Sequence, residues 1–149
     1  MDYNDKVIAI ASDHAGYLLK NYLKNYLENK GFQVVDFGTN SGDSCDYPDY
    51  AHPLASEVNS GKINRGITIC GSGNGISMVV NKYAKIRAAL CWNTEIASLA
   101  RSHNNANICS IPSRFVTEEE AILILNTFLT TPFEGGRHQV RVDKIAISK

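Results

Sequence analysis

The chain has 149 residues, 44% of them hydrophobic, with 15 basic side chains matched by 15 acidic ones. That length suits one well-filled core and not two, so a single domain over residues 1–149 is expected. A formal net charge of zero removes any global electrostatic case for nucleic acid or an anionic membrane surface as partner. The apolar runs are about strand length. Met1-Asp2-Tyr3-Asn4-Asp5-Lys6 has no basic region followed by a long apolar stretch, so neither export nor membrane insertion is expected. Cys45, Cys70, Cys91 and Cys109 are widely spaced without a C-x-x-C pair, which fits a reduced cytoplasmic protein and argues against zinc.

In chain order, Val7 to Ala11 is an apolar run of strand length, ended by the polar group Ser12-Asp13-His14. Ala15, Leu18, Leu19, Tyr22, Leu23, Tyr26 and Leu27 then recur at helical spacing, with Lys20, Asn21, Lys24 and Asn25 expected on the wet side and Gly31 as the stop. Gln33 to Phe37 reads as a second strand, and Gly38 to Asp46 as a polar loop. Ala51, Leu54, Ala55 and Val58 predict a second helix ending at Gly61, with Asp46-Tyr47-Pro48 compatible with a proline-led start.

Gly66 to Ile69 is a third strand that stops at Cys70, where Cys70-Gly71-Ser72-Gly73-Asn74-Gly75 turns into a helix carrying Ile76, Val79, Val80 and Tyr83 on one face. A fourth strand around Arg87 to Cys91 is followed by a helix with Ile96, Leu99, Ala100 and His103 in register. Ile108 to Ile111 is the fifth strand. Thr117 to Glu120 has capping-box form and opens a helix burying Ala121, Ile122, Leu125, Phe128 and Leu129, which Pro132 ends. Gly135-Gly136 is a break before a short last helix from about Arg137. Strand and helix alternate five times and the strands are apolar throughout, which predicts a three-layer α/β/α, Rossmann-like fold with a five-stranded parallel sheet.

Ligands in such folds collect outside the carboxyl ends of the strands, which directs attention to Asp13, His14, Tyr47, the Cys70 turn and Arg114. In that turn Gly71, Gly73 and Gly75 remove Cβ atoms and let a ligand touch backbone. The unpaired N–H groups at the following helix start favour an anion and the thiolate of Cys70, a candidate base or nucleophile. A tight turn with a small buried cysteine is the plain alternative. The spacing is not G-x-G-x-x-G, no Lys-Ser/Thr pair follows, and no acidic residue ends the next strand, so a nucleotide loop fits poorly.

Each remaining group admits two readings. Ser12 or Asp13 caps the first helix or faces a ligand, and the roles can coexist. Arg137 and Arg141, four apart, project two guanidinium forks from one helix face, suited to a phosphate or simply to solvent. His103 is a catalyst or a helix C-cap. Tyr47 lines a pocket or packs. A redox role for Cys70 has no resolving cysteine nearby.

Together, Ser-Asp-His-Ala-Gly (12–16), Asp-Tyr-Pro-Asp-Tyr-Ala (46–51), Cys-Gly-Ser-Gly-Asn-Gly-Ile (70–76), His-Asn-Asn-Ala-Asn (103–107) and Glu-Gly-Gly-Arg-His-Gln-Val-Arg-Val (134–142) resemble the ribose-5-phosphate isomerase B family, which includes the LacA/LacB-type galactose-6-phosphate isomerases. The resemblance implies an aldose–ketose isomerase that interconverts ribose 5-phosphate and ribulose 5-phosphate through a cis-enediolate, without metal or organic cofactor. By the same resemblance Cys70 is the base, Ser72 assists it, and the backbone from Ser72 to Ser77, including Gly73, Asn74 and Gly75, faces the oxyanion. His103 opens the sugar ring with Asp13, and Asn104 holds substrate oxygens. His14, Arg114, Arg137 and Arg141 grip the phosphate, and Tyr47 walls the sugar pocket. One branch of the family replaces the cysteine by a glutamate just after the glycine loop; Ile76 stands there, which matches the cysteine branch. The resemblance also implies a homodimer or dimer of dimers with sites at the subunit contact. A hexose-6-phosphate substrate (allose or galactose 6-phosphate) and a non-catalytic sugar-phosphate-binding module are the competing readings.

Overall fold

The structure is a computed structural model that describes residues 3–147; Met1 and Asp2, part of the segment read above as carrying no export signal, and the terminal Ser148 and Lys149 lie outside the described residues. Five strands, β1 (Val7–Ser12), β2 (Gln33–Asp36), β3 (Arg65–Cys70), β4 (Ala88–Leu90) and β5 (Ile108–Pro112), form one sheet in the order β2-β1-β3-β5-β4. All four pairings are parallel. The helices are α1 (Tyr17–Asn29), α2 (Tyr47–Asn59), α3 (Asn74–Val80), α4 (Thr94–Ser102), α5 (Glu118–Thr130) and α6 (Arg137–Val142).

Alternate residues of β1 explain the three layers, because successive strand side chains point to opposite faces. Ile8 and Ile10 pack with Leu19, Leu23 and Leu27 of α1, Ala97 of α4 and Ile124 and Phe128 of α5. Ala9 and Ala11 face the other way, toward Leu54 and Val58 of α2 and Ile76 and Val80 of α3. The expected three-layer fold with a five-stranded parallel sheet is therefore present. Thr68 and Ser110, adjacent on β3 and β5, satisfy each other in the core through hydroxyls 2.7 Å apart.

Two details of α1 depart from the periodicity reading. Leu18, expected on the buried stripe, is 77% exposed, and Lys20, expected in solvent, is 1% exposed. The reason is Asp36 at the end of β2, which receives the Lys20 ammonium at 2.7 and 2.8 Å and the Gly38 N–H at 2.9 Å. A pattern of apolar spacing does not anticipate a paired charge on the inner face. On α5 the buried set includes Ile124, whereas Ile122 and Leu129 pack at its margin. The Thr117 capping box is present as expected, its hydroxyl accepting the Glu120 N–H at 3.1 Å. No helix among the described residues is long and apolar enough to cross a membrane.

Candidate active site

The sheet order reverses direction between β1 and β3: β2 lies outside β1 on one side, and β3 leads to the other edge. Chains leaving the carboxyl ends of these two strands diverge to opposite faces and leave a crevice between them. The crevice is lined by Asp13, His14 and Ala15 after β1, Cys70, Gly71 and Ser72 after β3, Gly75 at the start of α3, Tyr47 at the start of α2 and Arg114 after β5, around about 380 Å³. A smaller cavity of about 160 Å³ lies near the amino ends of the strands among Asp5, Phe32, Arg65, Leu129 and Thr130, without a cysteine or histidine.

Local chemistry places each of these groups. Asp13 caps the turn ahead of α1, its carboxylate accepting the Gly16 N–H at 3.1 Å, so capping and facing the cleft do coexist. The Cys45 N–H donates to His14 Nδ1 at 3.2 Å, which leaves Nε2 as the N–H side of the neutral ring. Cys70 is 4% exposed. Its carbonyl accepts the Ser113 N–H at 3.0 Å, and the Gly71 carbonyl accepts the Arg114 N–H at the same distance. The Arg114 guanidinium lies over Gly71, where a Cβ would stand 3.0 Å from Nη1. Tyr47 closes over Gly75 in the same manner, its Cζ 2.6 Å from where a Cβ would be.

The glycine loop is more divided than expected. Gly73, with φ +74°, turns away from the cleft toward Leu90 and Pro112. Asn74 borders a neighbouring apolar hollow with Leu90, Trp92, Pro112 and Phe115, and its N–H donates to Ser72 Oγ at 3.3 Å. The Ser77 N–H donates to the Gly73 carbonyl. Two of the backbone donors anticipated for an oxyanion are thus already engaged, and Gly71, Ser72 and Gly75 are the loop residues that line the cleft.

His103, Asn104, Arg137 and Arg141 are not in this cleft. His103 caps the carboxyl end of α4, and the loop after it leads back to the amino end of β5, where the Asn105 carbonyl accepts Arg87 Nε at 3.0 Å. Between the Gly66–Ile108 and Cys70–Pro112 pairs the sheet advances by four residues, about 13 Å. The strands therefore separate His103 from Cys70 within one chain. Arg137 and Arg141 sit on α6 beside His103, because the His138 ring stacks on that of His103 at 4.2 Å. The residues singled out in the sequence form two clusters, one around Cys70 and one around His103. Glu134 and His138, which join the second cluster, carry no assigned role in the sequence reading although the motif spanning 134–142 contains both; their i, i+4 spacing around two glycines was the available signal.

A parallel three-layer fold with an acid, a histidine, a cysteine and an arginine gathered at the reversal of strand order defines an α/β protein with a small-molecule cleft suited to an anion. Residues 8–145 match the model of the Ribose/Galactose Isomerase family, and the chain belongs to that family. It is 44% identical over 140 residues to the ribose-5-phosphate isomerase B of Escherichia coli, covering 94% of each chain. The crystal structure of a Thermotoga maritima ribose 5-phosphate isomerase superimposes with a TM-score of 0.92 at 52% identity, covering 94% of this chain and 97% of that one. The Mycoplasma genitalium ribose-5-phosphate isomerase B with bound ribulose-5-phosphate gives 0.90 at 48% identity over 93% of both chains.

Proposed function

We propose that this chain interconverts ribose 5-phosphate and ribulose 5-phosphate in the cytoplasm, as a single domain acting in a homodimer or dimer of dimers. The observation that carries the reading is Cys70 at the end of β3, set in a cleft with Asp13, His14, Tyr47 and Arg114 at the point where the sheet order reverses. Relatives named for ribose 5-phosphate, one of them holding ribulose-5-phosphate, favour the pentose over allose or galactose 6-phosphate. A cysteine lining the cleft favours chemistry over a binding module that only grips its ligand.

In the aldehyde form of the substrate, the Cys70 thiolate takes the proton from C2. Electrons flow to the carbonyl oxygen and give a cis-enediolate; the O2 hydroxyl proton passes to O1, and the C2 carbonyl forms as the thiol returns its proton to C1. Backbone of Gly71, Ser72 and Gly75 and the Ser72 hydroxyl face the developing oxyanion, where preorganised donors are most effective. Ring opening precedes this: the C1–O4 bond breaks, O4 takes a proton from His103, and the anomeric hydroxyl gives its proton to Asp13 as the C1 carbonyl forms. His14 and Arg114 hold the phosphate together with Arg137 and Arg141, Tyr47 walls the sugar, and Asn104 binds its hydroxyls. No metal or organic cofactor enters these steps.

Because the sheet separates the two clusters in one chain, a second copy supplies His103, Asn104, Arg137 and Arg141 to the Cys70 cleft. The apolar hollow of Leu90, Trp92, Pro112 and Phe115 borders the same glycine loop, with Trp92 52% and Phe115 73% exposed, and offers that copy a surface. The test is turnover of ribose 5-phosphate in EDTA by wild type and Cys70→Ala. Wild-type turnover that falls by about two to four decades in the variant, with KM retained, is expected. Equal rates overturn Cys70 as the base, and no turnover by either protein overturns the pentose reading.

A further inference from the structure

His103 shares its cluster with two side chains that have no part in the steps above. Its ring stacks on His138, with centroids 4.2 Å apart and planes 12° from parallel. Glu134 Oε2 lies 3.5 Å from His138 Nε2 and 3.9 Å from His103 Nε2. His138 is 6% exposed, and its Nε2 has no hydrogen-bond partner among the described residues. His103 lies at the end of α4, and Glu134 and His138 lie on the segment that enters α6; the two segments are held in register by the Glu134 N–H, which donates to the Ser102 carbonyl at 3.0 Å.

Three donor atoms within 4.8 Å of one another have the composition of a cation site. The ring planes oppose that use. A metal lies in the plane of each imidazole that binds it, along the nitrogen lone pair, and two stacked rings do not aim their lone pairs at one point. Stacking does, however, fix the plane of a ring, and a carboxylate beside an imidazole orients it and stabilises its protonated form.

We infer that Glu134 and His138 are positioning residues for His103, His138 as the flat wall that sets the plane of the ring and Glu134 as the carboxylate facing its Nε2 that fixes how the ring turns within that plane. The inference rests on the ring-opening role proposed for His103. Burial, then the neighbouring His103 and Arg137, push the His138 imidazole below its ordinary range; Glu134 opposes them and Arg141 adds to them. Those four groups are the charged and titratable ones that act on it, and three of them lie on the same segment as His138.

A comparison of two reactions tests this. Ribose 5-phosphate must be opened before it reacts. Ribulose 5-phosphate carries its phosphate on O5, has no hydroxyl placed to close a five-membered ring on C2, and so enters proton transfer directly. Glu134→Gln, His138→Ala and His138→Phe are compared with wild type for turnover of ribose 5-phosphate and for exchange of the C1 hydrogen of ribulose 5-phosphate in deuterium oxide.

Glu134→Gln and His138→Ala are expected to lose about 10- to 100-fold on ribose 5-phosphate, part of the usual worth of a general acid, while exchange stays near the wild-type rate. His138→Phe, which keeps a flat ring, recovers most of the His138→Ala loss. Unchanged turnover of ribose 5-phosphate overturns the inference. So does an equal fall in both reactions, which marks a structural role; Glu134 is 59% exposed, so its substitution does not threaten folding. A His138→Phe variant as slow as His138→Ala overturns the wall. Failure of the wild type in both reactions instead overturns the isomerase reading itself.

Discussion

Ser113 holds Cys70 by the backbone: its N–H donates to the Cys70 carbonyl at 3.0 Å, and its hydroxyl lies 2.9 Å from the Ala15 carbonyl and 3.2 Å from that of Cys70. One hydroxyl proton serves one acceptor at a time, and the shorter contact is to Ala15. A single residue after β5 thus ties together the segments that follow β1 and β3, the two walls of the cleft. Ser113→Ala keeps the backbone bond and leaves the hydroxyl contact unmade. It is expected to cost about 1 kcal/mol, seen as a melting temperature lower by about 2–4 °C, with a lower kcat from a looser loop. An unchanged melting curve would show that the hydroxyl contributes nothing.

Gly73 and Gly75 are expected to respond differently to alanine. At Gly73 the backbone has φ +74°, and a Cβ would lie 2.4 Å from Leu90 Cδ1 and 3.2 Å from the Pro112 nitrogen. Gly73→Ala combines a left-handed penalty of about 1–2 kcal/mol with a clash against the Leu90 side chain and a tight approach to the Pro112 backbone, so stability falls, as a denaturant titration would register. At Gly75 the obstacle is the Tyr47 ring, which can swing outward. Gly75→Ala should leave stability nearly unchanged and raise KM, because it displaces a wall of the cleft.

The Lys20–Asp36 pair makes stability depend on acid. Burial raises the Asp36 carboxyl, but the hydrogen bonds from Lys20 and the Gly38 N–H and the charges of Lys20 and Lys24 prevail and hold it below its ordinary 3.8. A carboxyl with a depressed folded value stabilises the fold above the unfolded value, and that stabilisation is lost as pH falls through the folded one. Asp36→Asn leaves the Lys20 ammonium buried without its countercharge and is expected to cost about 3 kcal/mol at pH 7. Urea unfolding of both proteins should show that gap narrowing below pH 3.8, and a gap independent of pH would count against the pair as its source.

Two inactive chains should complement each other. If each site takes Cys70 from one copy and His103 from another, Cys70→Ala and His103→Asn chains unfolded together and refolded form mixed dimers with one intact site each. Random pairing then restores activity to about one quarter of wild type. No recovery would mean that one copy supplies both clusters.

Much of this architecture is legible from residues alone, where local chemistry decides. Apolar runs ended by glycine or polar groups mark the strands, the Thr117–Glu120 box marks the start of α5, and Gly71-Ser72-Gly73 marks the turn after β3. The burial of Lys20 is not legible in this way because it depends on Asp36, sixteen residues away and on another element. The place of Glu134 and His138 is not legible either, because their neighbour His103 is brought to them by the packing of α4 against the segment before α6.

What the sequence determined by itself is the set of elements, their alternation and the chemical character of each strand end, since these follow from side-chain spacing and turn chemistry within a few residues. The tertiary structure alone decided that β1 and β3 are neighbours at the reversal of strand order, which sets Asp13 and His14 across from Cys70. It also decided that His103 and the two α6 arginines lie away from that cleft. Both outcomes depend on the order in which strands pair, and pairing is settled by how whole faces bury against α1, α4 and α5 on one side and α2 and α3 on the other, a property no single stretch of the chain contains.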